Sequence, residues 1–205
     1  MLTHVRAAAP RRAPPSPPLQ PPEPGAALLD NLGAIEDEEH IVVLGSLSKT
    51  YSMTGWRAGY ALAAKPVAAN LSKLQSQSTS NAASMVQKAA IAALAGSQEC
   101  VSQFRSEFIE LRDYMLAKLA EIPGVTCTKP EGAFYVYPNI GSFIGKGGIK
   151  SATELATRLL HEAHVVTVPG EAFGTSEHIR ISYPVTKQNI DEGTRRMGEF
   201  LGKLA

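Results

Sequence analysis

Thiols are scarce in this sequence of 205 residues: there are two cysteines, Cys100 and Cys127. Lying 27 residues apart, they form neither a C-x-x-C motif nor a disulfide-rich pattern, which suits a reducing compartment. Each reads as a core or surface thiol. Long apolar runs are missing too. No stretch approaches the roughly 18 apolar residues that a membrane helix needs, and residues 1–20 lack the apolar core of a secretory signal. An excess of charge of one sign is also absent, with 20 Lys plus Arg against 19 Asp plus Glu. No global field therefore draws the chain to nucleic acid or to a membrane surface, and small neutral or anionic ligands remain open. The expectation is a soluble, cytoplasmic protein whose 44% hydrophobic content supports one domain or two small ones.

The first 25 residues stand apart. Eight of the 14 prolines fall between Pro10 and Pro24, beside Arg6, Arg11 and Arg12, with no acidic residue before Glu23. Such a segment propagates neither a helix nor a ladder, and its proline density works against the amphipathic helix of a transit peptide. Residues 1–25 are expected to be a disordered segment or an artefact of the gene model.

Globular signals begin at Ile41-Val42-Val43-Leu44, a short β-branched run predicted to be a buried strand, followed by a Gly-Ser-Leu-Ser loop. A second strand is predicted over 58–63. Two helices joined by a loop should follow between Pro66 and Gly96, and then a long helix reaching Ile122-Pro123-Gly124 with Phe104, Phe108, Leu111, Met115 and Leu119 on its core face. Strands are predicted over 125–128, 133–137, 165–168 and 179–183, with helices over about 153–164 and 187–204. This mixed α/β order contains no internal repeat.

The stretch S-L-S-K-T-Y-S-M-T-G-W-R-A-G-Y, residues 46–60, carries the chemistry. Lys49 emerges at a strand end, where Trp56, Tyr51 and the strand core are expected to desolvate its amine and ready it to attack an aldehyde. Ser46, Ser48 and Arg57 supply hydroxyls, backbone N–H groups and a guanidinium fork, the parts that hold a phosphate dianion. An amine beside a phosphate cradle implies a phosphorylated aldehyde.

This stretch resembles the cofactor-lysine signature of class I aminotransferases of the pyridoxal-phosphate (PLP) fold type I. The resemblance continues through L-Q-S-Q-S-T-S-N (74–81), E-G-A-F-Y-V-Y-P (131–138), V-P-G-E-A-F-G (168–174) and H-I-R-I-S-Y (178–183). It covers about residues 36–205 and leans to the prokaryotic-type aspartate aminotransferase branch. It implies an α/β chain, a partial fold type I: the C-terminal part of the large PLP-binding domain over 26–100, then a linking helix and small α/β domain over 101–205. It also implies PLP as cofactor, Lys49 as the Schiff-base lysine and proton shuttle, and Ser46, Ser48 and Arg57 as phosphate ligands. Arg180 is implied to grip the substrate α-carboxylate, and Phe134 to line the substrate side. The implied reaction is transamination between an amino acid and a 2-oxo acid, aspartate and 2-oxoglutarate, in a homodimer.

In that family the residues preceding the lysine supply an aspartate to the pyridine nitrogen, an asparagine and a tyrosine to the ring hydroxyl, and a stacking aromatic. Here the proline-rich tract occupies that place, and Asp30, Asp37 and the acidic run 36–39 sit too close to Lys49. The chain is therefore expected to be a fragment without turnover of its own. The alternatives are another fold type I aminotransferase or lyase, and a non-catalytic remnant acting as a binding module. Other features read plainly. Gly145-Lys146-Gly147-Gly148 fails the phosphate-loop spacing and reads as a flexible surface loop. His161 and His164 are helix-surface residues without a third metal ligand, so no metal site is expected.

Overall fold

The computed structural model describes residues 41–204. The proline-rich segment 1–25, Asp30, Asp37 and the acidic run 36–39 lie outside the described residues. The chain divides into two compact units, residues 1–102 and residues 103–205. No helix among the described residues is long and apolar enough to cross a membrane.

The first unit holds β1 (Val42–Ser46), the single helical turn α1 (Leu47–Thr50), β2 (Gly59–Ala63), α2 (Lys65–Ser78) and α3 (Ser84–Ala95). Strands β1 and β2 form an antiparallel pair in the register Val42↔Ala63 to Ser46↔Gly59. Two glycines make this register possible. A Cβ on Gly59 would meet the Gly45 carbonyl oxygen at 2.7 Å, and one on Gly45 would run into the Tyr60 ring. Proline in its first turn favours α2, and the Gly96 N–H donates to Ala92 O at the end of α3, so the expected helix pair forms. The expected Gly-Ser-Leu-Ser loop does not: Gly45 and Ser46 finish β1, and Leu47 and Ser48 begin α1.

The expectation of a buried first strand is also corrected. Leu44 is 77% exposed, Leu74 71% and Met85 73%, and α2 and α3 bury no residue. Among the described residues β1 has one ladder partner, and the pair is half-buried on the face of Val43, Gly45, Tyr60 and Leu62 and open on the face of Leu44 and Ala61.

Helix α4 (Glu99–Ala120) runs through the division between the units. Beyond it the second unit holds β3 (Tyr135–Val136), α5 (Ala152–Ala163), β4 (Val168–Pro169), β5 (Ile179–Ser182) and α6 (Lys187–Gly202). The three strands form an antiparallel sheet in the order β3-β5-β4. Its core is built by periodicity. Buried residues recur in α5 at Leu155, Ala156, Leu159 and Ala163 and in α6 at Ile190, Thr194, Met197 and Leu201, each a single helical stripe. They close over Val136, Ile140, Ile149 and Ile179, all fully buried. Helix starts are capped by side chains: Ser151 Oγ accepts from Glu154 N, and Thr186 Oγ1 accepts from Asn189 N.

Three predicted strands shrink, that over 133–137 to Tyr135–Val136. Residues 125–128 keep only a bridge, in which Thr126 N donates to Asn139 O and Asn139 N to Thr126 O. The strand over 165–168 contracts to Val168–Pro169, since His164 turns left-handed (φ 55°) and Val165 N is spent on Leu159 O at the end of α5. The glycine-rich segment is tied rather than loose. Gly145 N donates to Ile149 O, Ile149 N to Lys146 O, and the Arg158 guanidinium to Gly147 O at 2.8 Å.

The contrast between the units is testable. Leu159→Ala empties a fully buried site and is expected to destabilise the second unit by about 2–5 kcal/mol, whereas Leu74→Ala should change stability by less than about 0.5 kcal/mol. Urea unfolding followed by circular dichroism measures both.

Candidate active site

The residues singled out in the sequence fall into two groups, one in each unit. In the first unit they lie at one end of the β1–β2 pair. Ser46 ends β1 with an extended backbone and caps α1, its Oγ accepting from Ser48 N at 3.1 Å. Leu47 N donates to Ala58 O at 3.2 Å, so Ser48 and Arg57 flank one backbone hydrogen bond. Ser46, Ser48 and Lys49 thus lie in the cap and turn of α1, and the Leu47–Ala58 bond brings the backbone at Arg57 alongside.

That turn is shaped by two residues in the left-handed region, Ser52 and Arg57, both at φ 53°. Non-glycine residues there store backbone strain of about 1–3 kcal/mol each. The strain is held in place: Arg57 Nη1 donates to Thr54 O at 3.0 Å, and Trp56 N to Met53 O at 3.2 Å. Met53 and Leu47 are the buried anchors.

Tyr51 adds an anchor that sequence reasoning used only as bulk. Its hydroxyl donates to Gln98 Oε1 at 2.8 Å, and Gln98 Nε2 reaches Ala93 O and Gly96 O at the end of α3. Burial, with Tyr60 and Cys100 nearby, pushes the hydroxyl above its ordinary pKa and keeps it a neutral donor. The desolvation expected of Lys49 is not met by these neighbours. Lys49 and Trp56 are both exposed. At 100° per residue Lys49 stands about 200° around α1 from buried Leu47, on the opposite side of the turn.

In the second unit Arg180 occupies β5, the central strand. Side chains alternate, so Ile179 and Ile181 take the core face together with Val136 of β3, while Arg180 shares the other face with Tyr135. Its guanidinium carbon lies 4.4 Å from the Tyr135 ring centroid and 4.8 Å from that of Phe173, within cation–π range of both. Arg180 Nε is buried without a hydrogen-bond partner, and no carboxylate among the described residues pairs with this side chain. A planar fork held flat, with donors unspent, is suited to a bidentate anion such as a carboxylate.

Phe134 follows the alternation to the core face of β3. It packs against the core beside Phe108, with ring centroids 6.2 Å apart, and lies 4.5 Å from the Tyr135 ring. Sequence reasoning named Phe134 and passed over its neighbour Tyr135. Period-two alternation through A-F-Y-V-Y, fixed by the apolar Val136, was the signal for the difference.

Phe173 was missed as well. It ends the short 3-10 turn Gly170–Phe173 and meets the Tyr137 ring edge-on at 6.0 Å, while Tyr137 stacks on His178 at 4.8 Å. Its hydroxyl bonds Thr175 Oγ1. A Cβ on Gly170 would meet His178 O at 2.5 Å and Thr175 O at 2.6 Å, which only glycine avoids.

Comparison with known proteins follows the same lines. The family described as Aminotransferase class I and II matches residues 22–197. The chain is 41% identical over 160 residues to an aspartate aminotransferase of Geobacillus stearothermophilus, covering 78% of this chain and 41% of that protein. It is 42% identical over 172 residues to an aspartate/prephenate aminotransferase of Cereibacter sphaeroides, covering 82% and 43%. The crystal structure of the aspartate aminotransferase from Rhizobium meliloti superposes with a TM-score of 0.77 at 36% identity, over 80% of this chain and 42% of that one. The chain thus spans about two-fifths of the length of these relatives.

Gly170→Ala is expected to displace the turn and cost about 1–3 kcal/mol of stability, read by thermal melting. Gly174→Asn, at φ 84° with open space around it, should cost less.

Proposed function

Because the chain belongs to the class I and II aminotransferases, we propose that it contributes the lysine and the carboxylate-binding arginine of a PLP-dependent transamination between an amino acid and a 2-oxo acid. The observation that carries this reading is Arg180, with its fork held between two rings and its Nε–H unspent. Residues 26–100 are read as the C-terminal part of a large cofactor-binding domain, and residues 101–205 as a linking helix and small domain. The assembly proposed is a homodimer, as in the intact family.

The donor set of the first unit fits the cofactor. Two hydroxyls, at Ser46 and Ser48, stand at α1 with the amine of Lys49, and Arg57 lies on the adjoining segment tied to α1 by the Leu47–Ala58 bond, a set whose chemistry matches a phosphate and an aldehyde on one small ligand. When bound, PLP supplies an electron sink for the bond being broken. Ser46, Ser48 and Arg57 hold its phosphate. Lys49 Nζ would hold its aldehyde end, and as a free amine would accept a proton from the substrate Cα and return it to the adjoining carbon. Arg180 fixes the α-carboxylate through two parallel N–H bonds, and Tyr135 and Phe173 set the plane of that fork. Phe134 supports this wall from the core side.

Aspartate and 2-oxoglutarate are the substrates proposed, because two of the relatives above are aspartate aminotransferases and the third is an aspartate/prephenate aminotransferase. A second reading, a non-catalytic binding module, is favoured by the exposure of Lys49.

Labelling separates the readings, and an activity assay bounds what the chain does alone. After incubation with PLP and reduction with borohydride, peptide mapping should place the label on Lys49 and lose it in Lys49→Ala; labelling spread evenly over Lys65, Lys73 and Lys88 would refute the assignment. In a coupled assay with aspartate and 2-oxoglutarate, the 205-residue chain alone is expected to show no turnover above background. Robust turnover abolished by Lys49→Ala would show that residues 1–40 supply more than their composition implies.

A further inference from the structure

We propose that Glu171 is a positioning residue for the Arg180 guanidinium, acting through Phe173, and so sets the orientation in which Arg180 meets a substrate carboxylate. The proposal rests on the reading of Arg180 given above. Phe173 is 47% exposed, so burial alone does not fix the ring that lies over Arg180. Its place depends on how the turn Gly170–Phe173 is anchored.

One anchor is backbone. Gly170 N donates to His178 O at 2.8 Å, and Thr175 N to Gly170 O at 3.1 Å. The other is Glu171, whose Oε1 accepts from Thr153 N at 3.2 Å, across 18 residues of sequence. Thr153 lies in the first turn of α5, where backbone N–H groups have no partner within the helix. The local caps are already engaged: Ser151 Oγ accepts from Glu154 N, and Glu154 Oε2 accepts from Lys150 N at 2.8 Å. Glu171 therefore takes an otherwise orphaned donor and ties the turn to a helix whose own face is buried in the core.

Electrostatics agree with that geometry. Burial pushes the Glu171 carboxyl up, but the backbone N–H groups of Glu171, Thr153 and Ala152 and the Thr153 side chain outweigh it. The carboxyl is held below its ordinary value. A carboxylate at a helix N-terminus also meets the favourable end of the helix dipole. Among the described residues no ion pair joins Glu171 to Arg180, and its carboxylate is engaged by Thr153 N; it acts by placing Phe173.

The Arg180 Nε–H reports this directly in a 15N-labelled sample of the full chain. Buried against two rings, it should exchange slowly with water and resonate away from ordinary arginines through ring currents, and Arg180→Lys identifies it by its loss. Glu171→Ala is expected to move this signal toward the ordinary arginine position and to speed its exchange by about tenfold, as befits loss of one hydrogen bond to a charged group. Signals of Ile149 and Leu159 in the core should stay in place. Glu171→Gln keeps an acceptor oxygen and should retain most of the displacement. Thr153→Pro removes the donor at a position where a helix tolerates proline, and should move the signal in the same direction as Glu171→Ala. Should Glu171→Ala fail to fold, Thr153→Pro and Glu171→Gln carry the test.

An unmoved Arg180 signal in Glu171→Ala or in Thr153→Pro, with the core signals intact, would overturn the proposal. Titration with succinate separates it from the reading beneath it. The wild-type signal should shift on binding, and Glu171→Ala should need about ten times more succinate, matching the same lost hydrogen bond. A wild-type signal indifferent to succinate would overturn the carboxylate reading of Arg180, while the clamp would still be decided by the ring-current displacement.

Discussion

A guanidinium taken partly out of water must be compensated, and at Arg180 the compensation comes from the faces of two aromatic rings rather than from a carboxylate. That choice organises the second unit. An ion pair would have spent the donors that a ligand needs. Rings hold the plane of the fork and leave its hydrogens free, so the site is orientated without being satisfied. Everything that keeps those rings in place then matters to recognition, even where it touches no ligand.

The rings are held by two different kinds of order. Tyr135 is fixed by the sheet: it lies opposite Ser182 in register, and so on the same face as Arg180 two residues before it. A slip of one residue would send Arg180 into the core and Ile179 out of it. The fully buried Ile179 and Val136 forbid that slip, which makes the hydrophobic core the guarantor of the polar site. Phe173 is fixed by a turn instead, and a turn has no ladder to keep it. Gly170 gives the close backbone approach, the stack of Tyr137 on His178 gives a floor, and the start of α5 gives a tether.

Much of this was legible in the sequence. The helices were readable because Leu155, Leu159 and Ala163, like Ile190, Met197 and Leu201, repeat with the helical period, and because Ser151 and Thr186 announce their starts. Lys49, Ser46, Ser48 and Arg57 were singled out from the stretch 46–60, and the pairing of β1 with β2 brings the backbone of their two segments side by side. What was not legible depended on which face a strand would bury. In A-F-Y-V-Y both Phe134 and Tyr135 are aromatic, and only the packing of Val136 decides between them. The strand over 125–128 shrank to the single bridge at Thr126, because strand formation depends on a partner that its own β-branched residues cannot announce. The exposure of Leu44 was invisible for a related reason, since burial belongs to neighbours and composition cannot state who they are.

The two candidate groups differ in what they still require. Arg180 carries its environment within 50 residues of sequence: both rings, the central strand and the tethered turn lie between Tyr135 and Ser182. Lys49 does not. Its turn is anchored by Leu47, Met53 and the Tyr51–Gln98 bond, which fix where the amine is, yet it remains exposed. Amine chemistry with an aldehyde requires a neutral nitrogen, and at a lysine that comes from lost hydration or from nearby positive charge. Position and reactivity are thus set by different parts of a fold. The described residues of the first unit provide the first, and the second requires the amine to be shielded from water, which the exposed turn around Lys49 does not do.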